Sequence, residues 1–397
     1  MPLPDRPSIA VLPFENMTGD PRQEFFTDGF TEQIITTLSK IPALFVISRN
    51  SSFTYKGKPV KVQKVSKELG VRYVLEGSVQ KISSRIRINV QLIDAISGLH
   101  VWAESYDRDM KDIFGLQDEV ILKITSAMSV NLTVGEQARA WAKGTKNLEA
   151  YMKLMQGREY YFKQNRESNS LARRLAEETI ALDPQYAEAY ALLGATHHSD
   201  VWLGTSLSPK DSIAKAIELN KKALAMNGSL AEARSRLGVL YTWSGRYDEA
   251  IAEAERGVEL DPNSGQANFY LAQVLRYAGK SKESIPVIKK ALRLEPIPPD
   301  IYFQQLALAY FQAGDCKEAI AAGEKGLKRQ PDNLVSHVIM TAVYGSCDRE
   351  KEARKEAKEV LRINPKFTVE SFTRNIPYKN PADTDRTVQG LRKAGLP

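Results

Sequence analysis

Between residues 230 and 365 one pattern recurs at a nearly fixed period, and it limits the fold more than any other feature. LAEARSRLGVLYTWSGRYDEAIAEAERGVELDP (230–262) aligns with SGQANFYLAQVLRYAGKSKESIPVIKKALRLEP (264–296). The closing prolines, Pro262, Pro296, Pro331 and Pro365, are 34, 35 and 34 residues apart. Each unit has room for two helices, and the proline ends the second of them. A short pair of helices cannot bury its own apolar face, so such units stack into a solenoid.

This period, with two helices per unit, resembles the tetratricopeptide repeat (TPR). In the cleanest unit Leu237 and Gly238 permit close helix packing, Tyr241 fills the gap between helices, Gly245 turns the chain and Ala250 admits the second helix. The following units keep Leu271, Ala272, Gly279 and Ala291, then Leu306, Ala307, Tyr310, Gly314 and Ala319, then Met340, Tyr344 and Ala353. Two looser units precede them: one keeps Leu154, Ala172 and Pro184, the other Leu193, Gly194, Ala216 and Ala223. About six repeats over 147–365 are expected, forming a right-handed superhelical solenoid with a concave groove. The last amphipathic stretch, from about Pro381 to Lys393, suits a cap on the final apolar face.

The first part of the chain reads differently. Strands are expected at 8–14, 44–49, 72–81, 85–95 and 99–106, with helices at 22–40 and 60–70. RIRINVQLID and GLHVWAES alternate apolar and polar residues around AISG, the mark of a hairpin. A long helix from about Asp112 to Thr133 follows. The expectation is a mixed sheet with helices on one face, so the fold class is α+β multidomain: a small mixed α/β domain, then an all-α solenoid. The divisions are 1–7 tail, 8–112 α/β domain, 113–146 connecting helix, 147–365 repeats and 366–397 capping segment.

The phrases SIAVLPFENMTGDP, SSFTYKGKPV, LGVRYVLEGSV, RINVQLIDAISGLHVWAESYDRD and IFGLQDEV resemble the TolB amino-terminal-like domain. That module precedes TPR repeats in bacterial class III adenylate/guanylate cyclases and in membrane-anchored winged-helix regulators, and LRKAGLP is similar to the end of those cyclase chains. The resemblance implies a sensory or scaffolding half. No residues match the cyclase's metal-binding carboxylates, so it implies no catalysis here.

Chemistry is sparse. The loop after the first strand, ENMTGDP, lacks GxGxxG and GxxxxGK[ST]. Its neighbours Glu15, Asp20, Glu24, Asp28 and Glu32 would repel an anion, so Asp20 reads as a helix cap with Pro21 behind it. Adjacent His197 and His198 point about 100° apart on a helix and do not chelate together. His100 and His337 are isolated. Lys61, Lys64 and Lys67 line one helix face beyond Lys56 and Lys58, a solvated face or a site for an anionic partner. Cys316 and Cys347 read as small apolar residues. The net charge of +7 is spread along the chain and does not mark a nucleic-acid surface.

In TPR arrays ligands meet set positions of each first helix. Here these are Trp243, Gln266, Phe269, Gln273, Arg276, Tyr277, Gln304, Phe311 and Gln312, a mixture suited to a protein or peptide. The competing expectation is that these residues pack against the insertion around VWLGTSLS or against a neighbouring domain. With Ser235 and Val239 where the family's carboxylate clamp has Lys and Asn, binding of chaperone tails is disfavoured. The reading is a non-enzymatic scaffold or regulatory module with no catalytic residue, metal or cofactor; the alternative is the regulatory half of a class III cyclase. With no signal peptide or membrane span the chain reads as cytoplasmic as written, or periplasmic if it belongs to a membrane-anchored protein.

Overall fold

A computed structural model describes residues 1–130, 132, 144–374 and 376–397. Strands β1 (Ser8–Val11), β2 (Glu15–Asn16), β3 (Phe45–Val46), β4 (Tyr73–Ile82), β5 (Arg85–Asp94) and β6 (Leu99–Asp109) form one sheet. Its order is β3-β1-β4-β5-β6, with β2 beside β4. The first three strands pair in parallel, and β4, β5 and β6 run antiparallel.

Helix α1 (Glu24–Ser39) and helix α4 (Ile113–Ala127) cover one face. There Phe30, Ile34, Leu38, Val120 and Ile124 pack with Ile9, Val11, Leu75, Ile88 and Val90. The expectation of helices on one face alone fails. After α2 (Arg49–Phe53), α3 (Val62–Leu69) lays Val65 and Leu69 against Ala10, Leu12 and Val74 on the other face. Strand alternation explains both results, because neighbouring apolar residues in β1 point to opposite sides. The uncovered remainder of that face is polar, with Asn89 bonded to Ser78 and Gln91 to Glu76. The long helix expected to Thr133 ends at Ala127, and its last residues, like part of the connecting segment 113–146, lie outside the described residues.

Six helix pairs follow among the described residues: α5 (Leu148–Phe162) with α6 (Arg166–Leu182), α7 (Ala187–Trp202) with α8 (Pro209–Met226), α9 (Ala231–Thr242) with α10 (Tyr247–Leu260), α11 (Gly265–Tyr277) with α12 (Ser281–Leu294), α13 (Ile301–Ala313) with α14 (Cys316–Arg329), and α15 (Leu334–Ser346) with α16 (Glu350–Ile363). The small residues act as expected: a Cβ on Gly238 would lie 2.8 Å from Ala254 Cβ. Gly245 adopts φ +71° at the turn, a conformation costly for any side chain with a Cβ.

Beyond α17 (Val369–Thr373), α18 (Pro381–Lys393) returns to α15. Gly345 and Gly390 cross so closely that a Cβ on the first would meet the backbone of the second. Leu391, Ala394 and Leu396 close the last apolar cluster with Val338, Met340 and Val360. The reading of the two cysteines as ordinary apolar residues is corrected: Cys316 and Cys347 form a disulfide with a Cα–Cα distance of 5.8 Å. Stacking brings the start of α14 beside the end of α15, a proximity that linear spacing does not reveal.

Candidate functional site

The solenoid does not stand clear of the α/β domain. Asn263 donates to the carbonyls of Ser39 and Ile41 at 3.0 and 3.2 Å. Ser48 accepts from Gly265 N–H at 3.0 Å, and Ser51 accepts from Ile297 N–H at 2.9 Å. Arg293 donates to the Gly70 and Pro2 carbonyls and lies over the Phe45 ring. The loops that close the third and fourth repeats thus carry the α/β domain.

At this junction runs a chain of buried charge. Glu32 of α1 accepts from Arg158 of α5 at 3.0 Å and is paired with Arg49 at 3.1 Å. Arg158 reaches on to Glu232 at 3.1 Å, and Glu232 accepts from Arg236 at 2.9 Å. Arg236 is fully buried and also donates to Tyr161. Burial opposes the charge on Arg158, but Glu232 and Glu32 outweigh it and hold the guanidinium protonated. Burial likewise opposes the charge on Glu232, and Arg158 with Arg236 keeps it ionised.

Beside this network is a cavity of about 370 Å³ between α1, the start of α2 and the first helices of the repeats. Asp261 and Glu295 line it, 8% and 1% exposed. Burial pushes Asp261 up to about 6 against Ser39 and Lys40. Burial also pushes Glu295 up to about 7 against Tyr302 and Asn50. Between the ordinary 4.5 and about 7, folded Glu295 holds a proton that the unfolded chain has released. Its contribution to stability is complete below that window and lost as pH rises through it. Glu295→Gln is expected to flatten the fall in melting temperature across this range; identical pH slopes in the two proteins would count against it.

The residues expected to form a ligand groove separate into three groups. Arg276, Tyr277 and Phe311 come together under the chain's own tail. Arg276 donates to Gln305 and to Tyr378 at 3.1 and 2.6 Å, and Tyr277 packs on the Tyr378 ring. Lys379 N–H bonds the Tyr277 carbonyl, and Arg386 reaches the Phe311 carbonyl at 2.7 Å while covering its ring. Phe269 and Gln304 are buried between repeats, the first stacked on Tyr302 and the second bonded to Asp300 and Ser336. Gln312 accepts from Ser281, and Trp243 packs at the edge of an inter-repeat cluster. Gln273 is half-buried and Gln266 exposed; Gln266 lines the junction cavity. For Arg276, Phe269, Gln304 and Phe311 internal packing is what is observed, because the tail and the next repeat cover them. Arg158, Arg236 and Tyr378 escaped the sequence reading; an acidic residue just before the closing proline in two successive units, Asp261 and Glu295, was the available signal.

The remaining candidates have structural roles. Asp20 caps the turn at Pro21 by accepting from Arg22 N–H, and Glu24 and Asp28 are paired with Lys56. Burial and nearby Arg236 push His198 down to about 3. His337 is bonded to Glu356 and to the Pro331 carbonyl. Lys61, Lys64 and Lys67 face solvent along α3.

Comparison with known proteins follows this division of the chain. Residues 5–123 match the family described as HilA/YgeH-like transcriptional regulator, second domain. That match is to a HilA/YgeH-like second domain and does not confirm the TolB amino-terminal-like module expected there. Residues 211–274 and 270–333 match tetratricopeptide repeat families. The solved APC/C hetero-tetramer Cut9–Hcn1 covers 71% of this chain and 52% of its own at 19% identity, with a TM-score of 0.48. Human "Protein O-mannosyl-transferase TMTC1" is 28% identical over 42% of this chain and 19% of its own length. "Putative adenylate cyclase 3" of Rhizobium meliloti (strain 1021) is 42% identical over 397 residues, which is 99% of this chain and 67% of that relative. A segment similar to a HilA/YgeH-like second domain precedes the tetratricopeptide repeats, and with 42% identity over 99% of its length the chain belongs to the family of the Rhizobium meliloti protein.

Proposed function

We propose that the chain is a non-catalytic regulatory module whose first-helix face in the fourth and fifth repeats holds a protein segment. The observation that carries this reading is the tail. Residues 376–380 are not helical, yet they are held by side chains and by the Tyr277 carbonyl, as a bound peptide would be. The tail occupies the face in this state, and a partner segment would replace it. A labelled peptide spanning residues 376–388 tests this against the full chain carrying Tyr378→Ala and Arg386→Ala. Saturable binding is expected, weakened at least about tenfold by adding Tyr277→Ala and Arg276→Gln. Equal binding with and without the added pair, or no binding to the loosened chain, would overturn the reading.

A second reading is the regulatory part of a class III adenylate cyclase, favoured by the identity to the Rhizobium meliloti relative along 99% of this chain. The test is to exchange the matching region of that relative for this chain and measure cyclic AMP formed from ATP. Loss of all control over the rate would count against it. Among the described residues no helix is long and apolar enough to cross a membrane. The Cys316–Cys347 disulfide favours an oxidising compartment over the cytoplasm.

A further inference from the structure

We propose that the junction cavity binds a small organic polycation, a linear diamine or polyamine, with its amino groups on Asp261 and Glu295. The guanidinium groups at this junction are already engaged. Arg49 and Arg158 are paired to Glu32, and Arg158 and Arg236 to Glu232. What remains is Glu188, Asp261 and Glu295, with Lys40 acting on the first two, so that carboxylates outnumber the cations left to meet them.

These carboxylates are incompletely satisfied. Among the described residues Asp261 Oδ1, Glu295 Oε1 and Glu188 Oε2 are buried without a hydrogen-bond partner, and the Asp261 and Glu295 residues are more than nine-tenths buried. Leaving such an acceptor unmade is unfavourable, and folded proteins rarely retain one without a purpose. An ammonium group offers three donors and a charge, which is what these oxygens lack.

The repeat explains why one ligand would carry two amines. Asp261 and Glu295 are 34 residues apart and precede the closing prolines of successive units. The stack therefore presents two like carboxylates one repeat apart. A metal ion needs convergent ligands, and among the described residues no three His, Cys, Asp or Glu side chains converge to hold one. Tyr151, Tyr186 and Tyr270 also line the cavity; aromatic rings suit methylene stems and attract ammonium groups to their faces. The upward pKa shifts agree: near pH 7 Glu295 without a cation keeps part of its proton, and a bound amine would release it.

Titration calorimetry of the full chain with spermidine, at pH 7 in two buffers of different ionisation heat, tests the proposal. Saturable binding with proton release is expected, and Asp261→Asn with Glu295→Gln should weaken it at least about tenfold. That variant removes unpaired buried charge, so its melting temperature should equal or exceed that of the parent. If it proves unstable, Glu188→Gln serves as the second variant with the same expected direction. No saturable heat with folded parent protein, unchanged affinity in the variants, or an equal response to magnesium chloride at matched ionic strength would overturn the proposal.

Discussion

Replacing Arg158 with leucine is expected to lower the unfolding free energy by about 3–5 kcal/mol, the range for removing one partner of a buried ion pair. Arg158 sits between Glu32 and Glu232 with its side chain 16% exposed. Its removal leaves each carboxylate with one fewer partner in a site that water reaches poorly. Glu32 would keep Arg49, and Glu232 would keep Arg236, so the loss falls within that range and does not exceed it. Urea melts of both proteins give the measurement. Lys153→Met supplies the contrast, because the Lys153–Glu178 pair is open to water on both sides and should cost under about 1 kcal/mol. A similar small loss for Arg158→Leu would mean that the network adds little to the seating of the α/β domain.

Reduction of the Cys316–Cys347 disulfide is the second large effect. The bridge closes a loop of 31 residues, and chain-entropy reasoning assigns such a closure roughly 4 kcal/mol. The loss should be local. In a stacked array each unit depends on its neighbours, and the bridge ties the second helix of the fifth repeat to the first helix of the sixth. Amide hydrogen exchange should therefore quicken in α14 to α18 after reduction, with α5 to α9 unchanged. Cys347→Ala should show the same pattern and no further response to reductant. A parent protein whose exchange ignores reductant would contradict the bridge.

The repeats were legible because packing recurs: Gly238, Ala250 and the closing prolines obey the same local demands in each unit. The hairpin of β5 and β6 was legible from strict alternation. What the sequence hid depends on the return of distant chain to the repeats. Arg276 and Phe311 occupy positions that meet ligands in other arrays, but nothing in their own helices states that Tyr378 and Arg386 come back to meet them. The same holds for Glu32, whose partners lie in α2, α5 and, through Arg158, α9. The α3 helix crossed to the second face of the sheet because Ala10 and Leu12 are apolar there, a pattern that the short strand β1 displays in only a few residues.

The docked ends also have a mechanical consequence. An open solenoid behaves as a spring, lengthening by small rotations between successive units. Here the α/β domain is pinned at the loops that close the third and fourth repeats, through Asn263 and Arg293, and the tail is pinned at Tyr277 and Phe311. Two clasps shorten the length of coil that is free to extend. Tension applied between Met1 and Pro397 would first load these clasps, and only after one opened could the repeats elongate.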